Sequence, residues 1–115
     1  MSTIFNPARL ARRPHAVLFD TDNTLYPYDP ANAAAVAAVV AKATQMFTID
    51  AGQVRTALEQ ARTQTKQRLG DTASSHSRLL YYQRMLELLG LGSQVLLALD
   101  LEQTYWRTFL SNAVL

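Results

Sequence analysis

The stretch Val17-Leu18-Phe19-Asp20-Thr21-Asp22-Asn23-Thr24-Leu25 constrains this chain more than any other. Three consecutive apolar side chains run directly into two acids spaced one residue apart. An apolar run bounded by turn-forming residues fits a strand buried on both faces. Pro14 has no amide hydrogen for a ladder, so it belongs at or before the strand's start, and the pattern predicts a strand over about His15 to Phe19. Side chains two apart in an extended chain share a face. Asp20 and Asp22 are therefore expected to converge at the strand's carboxyl end, where open α/β sheets place their ligands. The competing structural reading is a strand ending in an ordinary Asp- and Asn-rich turn.

Everything after the motif reads as helix. Tyr26-Pro27-Tyr28-Asp29-Pro30 is a stiff linker, with Asp29 as N-cap and Pro30 at the first helical position. A first helix is expected from about Pro30 to Phe47, with Val36, Val39 or Val40, Ala43 and Phe47 at helical spacing. Asp50 should cap a second helix over Ala51 to Leu69, with Gln53 at the capping-box position and Gly70 as the stop. Val54, Ala57, Leu58, Ala61 and Leu69 form its apolar face. A polar loop from Asp71 to Ser75 leads to a third helix, about Ser77 to Leu89, with Leu79, Tyr82, Leu86 and Leu89 inward and Gly90 as its stop. Ser93 is expected to cap a fourth helix over Gln94 to Asn112. That helix carries Leu96, Leu99, Trp106 and Leu110, and also Leu97, Leu101, Tyr105 and Phe109, more than one stripe of about 100° can hold.

Short loops predict that the four helices form an antiparallel bundle. The expected fold class is mainly α, a four-helix bundle plus one N-terminal strand. Residues 1-28 make an arm and the strand with its motif, and residues 29-115 the helical domain. One strand cannot make a sheet, and nothing after Asn23 reads as a second buried strand. The expectation is a fragment: the first strand of a doubly wound core and the helical domain that follows it.

Asp-x-Asp-x-Thr after an apolar strand resembles the first motif of the haloacid dehalogenase-like (HAD) superfamily, mostly phosphatases and phosphotransferases. The form Phe-Asp-x-Asp-Asn-Thr-Leu-Tyr-Pro is most similar to its nucleotidase-like and small phosphatase members, and the helical segment resembles their inserted all-helical cap. The resemblance implies a phosphomonoesterase acting on a small phosphorylated metabolite through an aspartyl-phosphate. Asp20 would be the nucleophile and Asp22 the acid/base. Asn23 stands where many relatives have glycine, and Asn tolerates a left-handed turn. Thr24 would orient the loop, and Asn23 and Thr24 would border the substrate. Mg2+ is implied, held by the Asp20 carboxylate and the Asp22 carbonyl with waters and substrate phosphate. A carboxylate suits the first role because it is ionised at pH 7. The second needs a raised pKa, which burial or a neighbouring charge can provide.

The resemblance also calls for a phosphate-binding Ser/Thr, a charge-balancing Lys and an acidic pair, lying after the cap in relatives. Nothing suitable follows Trp106. Lys42 and Lys66 fall within helices, where a solvated charge is the default. The chain alone is therefore expected to have little or no phosphatase activity. His76 reads as a helix-end or surface residue sooner than a substrate contact, and no second His or Cys at ligand spacing supports zinc. Tyr26 and Tyr28 could line a cleft or simply pack. Tyr81 and Tyr82 read as core or interface, and Trp106 as core.

Composition removes other classes. The chain has no cysteine, which excludes a disulfide framework and agrees with a cytoplasmic setting. Its formal charge is only +2, with eleven basic residues spread along the chain. That balance argues against a nucleic-acid partner, the cluster Arg9, Arg12 and Arg13 notwithstanding. The same arm lacks the Ser-rich amphipathic character of a transit peptide. No apolar run approaches the roughly 20 residues that span a bilayer, so no membrane partner is expected. The second functional reading is a non-catalytic helical interaction module. An unpaired apolar strand and a wide apolar helix four should seek a partner, so a homo-oligomer is expected.

Overall fold

The computed structural model describes residue 8 and residues 12–115. Four α-helices follow one another: α1 (Tyr28–Phe47), α2 (Ala51–Leu69), α3 (Arg78–Leu88) and α4 (Val95–Asn112). A short 3-10 turn, Ala73–His76, precedes α3 within what the sequence marks as a polar loop. The described residues form no sheet. Arg9, in the basic arm, lies outside them.

The boundaries follow local chemistry. Asp50 caps α2 by accepting from the backbone N–H of Gly52 at 2.9 Å and of Gln53 at 3.3 Å. Residue 52 must be small for this, since a Cβ there would sit 2.8 Å from the Asp50 carboxylate. Gly70, at φ 58°, ends α2 and returns its N–H to the Lys66 carbonyl. Ser77 caps α3 through the Leu80 N–H. The far end of α3 closes with Leu91 N–H on the Leu86 carbonyl and Gly90 N–H on the Glu87 carbonyl. That paired pattern, with Gly90 at φ 78°, is a Schellman motif.

Two caps differ from expectation. The first helix begins at Tyr28, so Asp29 lies in its first turn and not at its cap, and the cap position falls on Pro27. Pro30 is still tolerated because the first helical N–H groups have no intrahelical acceptor to lose. The fourth helix has Gln94, not Ser93, at its cap, with no side-chain cap bond.

The core is one cluster. α1 packs chiefly on α4 and α2 on α3, while α3 also meets α4. Ala31, Ala35 and Ala43 of α1, Ala57 and Ala61 of α2, and Ala98 of α4 are all buried. With so little side chain between them the helix axes can approach closely, and the volume is filled by Val39, Val54, Tyr82, Met85, Leu86, Leu101, Tyr105 and Phe109. Lys42 of α1 spans to α4, pairing with Asp100 at 2.8 Å and donating to the Thr104 hydroxyl at 3.1 Å. Between α1 and α2 the chain bends by 119° at Thr48, itself left-handed at φ 54°. No single helix among the described residues is long and apolar enough to cross a membrane.

The wide apolar circumference of α4 divides into two faces. Leu101, Tyr105 and Phe109 are buried, whereas Leu96 is 81% and Leu110 68% exposed, with Leu99 and Trp106 also outward. Trp106 is thus not core. On α3 the buried set is Tyr81, Tyr82, Met85 and Leu86, with Leu79 and Leu89 at the margin.

The strand expected over His15 to Phe19 is not formed. That segment is irregular and exposed, with Leu18 at 98%. Extended backbone becomes a strand only when a neighbour pairs with its N–H and C=O groups, and the described residues offer none. The isolated pairing nearby is a single bridge between Asp22 and Tyr26.

The two faces of α4 predict opposite mutational behaviour. Leu101→Ala should lower unfolding free energy by about 2–5 kcal/mol in urea denaturation, as a buried leucine truncated to leave a cavity. Leu110→Ala should change it by no more than about 0.5 kcal/mol.

Candidate active site

Asp20 and Asp22 lie in the turn that delivers the chain into α1. Leu25 N–H (2.9 Å) and Thr24 N–H (3.2 Å) converge on the Thr21 carbonyl, and Asn23 N–H reaches the Tyr26 carbonyl at 2.8 Å. Asn23 takes the left-handed conformation, φ 57°, that its side chain tolerates better than most. Its Oδ1 then accepts from the Tyr28 N–H at 2.9 Å. Asn23 is therefore the side chain that satisfies the first amide of α1, from five residues upstream. That oxygen of Asn23, a residue expected from sequence to border the substrate, thus serves the helix start.

Each acid has its own support. The Asp20 carboxylate accepts from the Thr21 N–H at 3.0 Å and from the Thr24 hydroxyl at 3.3 Å. Thr24 and Asp20, both singled out from the sequence, are thereby brought together. Asp22 Oδ1 accepts from the Tyr26 hydroxyl at 2.5 Å. Both carboxylates are exposed, and among the described residues no side chain bonds to both. Among the described residues no group of three His, Cys, Asp or Glu side chains converges to hold a metal ion.

Aromatic packing ties this turn to the bundle. The Tyr26 ring meets Phe109 edge-on at 5.8 Å, and Tyr28 meets the same ring at 5.6 Å. Beyond them Asn32 Oδ1 accepts from both the Tyr28 hydroxyl (3.2 Å) and the Tyr105 hydroxyl (2.6 Å). Arg78 donates to the Tyr28 hydroxyl at 2.7 Å and lies over the rings of Tyr105 and Trp106. Sequence reasoning missed Asn32 and Arg78. Their partners lie up to 73 residues away, a separation no local pattern reports.

Two tyrosines show what surrounds them. Tyr105 is pushed above the ordinary phenol range, first by burial and then by its hydrogen bonding with Tyr28. Tyr26 is raised for another reason, chiefly its hydrogen bond to Asp22. Only the neutral phenol can donate to that carboxylate, and ionisation would set two anions side by side.

Of the two lysines weighed as stand-ins for a catalytic cation, Lys42 is tied to Asp100 across the α1–α4 interface. Lys66 and His76 instead line a cleft that begins at Tyr28.

No protein-family profile matches the chain, and no solved structure does. The chain is 40% identical over 98 residues, 84% of its length, to a ribulose-1,5-bisphosphate 5-phosphatase of Halopiger xanaduensis. It spans about 41% of the length of that curated relative. A match of that extent in a 115-residue chain must include Asp20 to Thr24 and most of the bundle.

The Tyr26–Asp22 bond predicts a titration. Tyr26 should ionise above the ordinary value of about 10, and Asp22→Asn should bring it down, as followed by NMR of the Tyr26 ring between about pH 8 and 12. An unchanged Tyr26 titration in that variant would mean that the carboxylate does not hold the phenol.

Proposed function

We propose that this chain carries the nucleophile segment and helical cap of a HAD-like phosphatase whose substrate is a small phosphorylated metabolite. The observation that carries this reading is the 40% identity to a phosphatase across a window that includes Asp20-Thr21-Asp22-Asn23-Thr24. The name of that relative makes a sugar bisphosphate the leading substrate class.

In this reading an Asp20 carboxylate oxygen attacks phosphorus as the ester P–O bond breaks, giving an aspartyl-phosphate. Asp22 gives its proton to the departing alkoxide. It then takes a proton from the water that attacks the phosphorus, releasing inorganic phosphate and restoring Asp20. Thr24, bonded to Asp20, keeps the nucleophile's orientation. Tyr26 holds one oxygen of Asp22 and leaves the other available for the proton.

The donors fit Mg2+ in kind: exposed carboxylate oxygens, suited to a hard cation that keeps several waters. Asp20 and the Asp22 carbonyl would hold it, and when bound it would offset phosphate charge. Two acids without a third make a weak site. With Lys42 already paired and no convergent group of three His, Cys, Asp or Glu side chains among the described residues, the 115-residue chain by itself should show little turnover.

The test is a chimera in which these residues replace the matched 98 residues of the Halopiger phosphatase. It should hydrolyse ribulose 1,5-bisphosphate with Mg2+, and Asp20→Asn in the chimera should lower kcat at least ~1000-fold, about 4 kcal/mol of barrier. A chimera whose turnover survives Asp20→Asn unchanged would remove Asp20 from the chemistry. Robust Mg2+-dependent turnover by the 115-residue chain alone would overturn the expectation of inactivity.

A second reading is favoured by one observation, the exposed apolar row Leu96, Leu99, Trp106 and Leu110 on α4. Such a patch suits association with a second copy. Light scattering of the purified chain should then report a homo-oligomer that Leu96→Glu with Leu110→Glu returns to monomer; a monomer at every concentration would end this reading.

A further inference from the structure

A cleft of about 660 Å³ opens between α1, α2 and α3, and its charge is lopsided. Arg55, Arg62 and Lys66 reach it from one face of α2, and Arg78 from the start of α3, with His76 at the rim. Against these four full cations stand two acids, Asp29 and Glu59. The volume is ordinary for a small-molecule site, which falls in the range of about 300–1,000 Å³.

The cations are poorly neutralised. Arg62 is 3.8 Å from Glu59, a loose and exposed pair. Among the described residues Arg78 is positioned by neutral partners: the Tyr28 hydroxyl and the faces of Tyr105 and Trp106, at 4.3 and 4.8 Å from the ring centres. It is therefore held in place while keeping its full charge and most of its five donors. The contrast is Arg84, in a neighbouring groove, tied at 2.8 Å both to Glu87 and to Gln64. The buried Tyr81 hydroxyl donates to the Ser75 carbonyl at 2.6 Å, fixing the turn that presents His76. Tyr28 joins the two regions, its amide held by Asn23 of the acidic turn and its ring lining the cleft.

We propose that this cleft binds a phosphate of the substrate, the one that is not hydrolysed. An excess of two positive charges matches a phosphate dianion, and guanidinium forks match its oxygens. Resting on the phosphatase reading above, this assigns the substrate to small metabolites with two phosphate groups, one for the Asp20–Asp22 turn and one for Arg55, Arg62, Lys66 and Arg78.

Binding to the 115-residue protein, without turnover, is the test. Inorganic phosphate and ribulose 1,5-bisphosphate are titrated separately while backbone amides and arginine Nε–H groups are followed by NMR. The bisphosphate should shift signals at Arg55, Arg62, Lys66 and Arg78 and bind at least tenfold more tightly than phosphate. Arg62→Gln with Lys66→Gln should weaken it at least tenfold with the helical circular dichroism intact; should that pair unfold, Arg55→Gln is read in its place. Arg84→Gln should bind as the parent does, and Asp20→Asn should keep the cleft shifts. Shifts absent from the cleft, equal affinity for the two ligands, or an equal loss in Arg84→Gln would each overturn the proposal. The phosphatase reading fails separately, through undiminished turnover of the chimera bearing Asp20→Asn.

Discussion

The contact between α1 and α4 carries the rest of the molecule. Ala31 and Ala35 of α1 share one buried core with Tyr105 and Phe109 of α4, and the Phe109 ring is the surface on which the N-terminal turn rests. Tyr26 and Tyr28 pack on Phe109, so the residues flanking the acidic turn are anchored by a helix about 80 residues later in the chain. Lys42 with Asp100 closes the same interface at its other end. A partly exposed ion pair of this kind adds little, so burial of apolar surface is what holds the interface together.

From that interface the functional features follow in sequence. Asn23 caps α1, which gives the turn a fixed departure from the helix. Thr24 and Tyr26 then each hold one carboxylate. On the other side of Tyr28, Asn32 collects two tyrosine hydroxyls and Arg78 collects two aromatic faces. One residue, Tyr28, thus belongs both to the packing of the acidic turn and to the wall of the cationic cleft. The acidic turn and the cationic cleft thus both adjoin a single helix start, which is what the proposed two-phosphate substrate calls for.

Much of the fold was legible because it rests on local rules. Asp50, Gly70 and Gly90 mark helix ends by short-range hydrogen bonding and backbone conformation, and the structure uses all three. The second helix matches its expected limits, and the others shift by only one or two residues. The misreadings share a cause. Asp29 and Ser93 are good capping residues that the structure bypasses: Asn23 reaches forward five residues to the first amide of α1, and α4 starts without a side-chain cap. On α4, apolar spacing alone could not say which leucines face inward, because both stripes obey the helical period. The apolar run Val17 to Phe19 has the composition of a buried strand, but burial requires a neighbour, and the described residues supply none.

What the sequence determined by itself is the acidic motif, the four helices and the punctuation between them, since each depends on residues within one turn or one strand length of one another. Tertiary structure alone decided which face of α4 is core, that Lys42 is paired with Asp100, and that Arg55, Arg62, Lys66 and Arg78 share one cleft. Those outcomes depend on how separate helices pack against each other. Charge and hydropathy along a single helix are blind to that, because a face becomes inside or outside only when another element covers it.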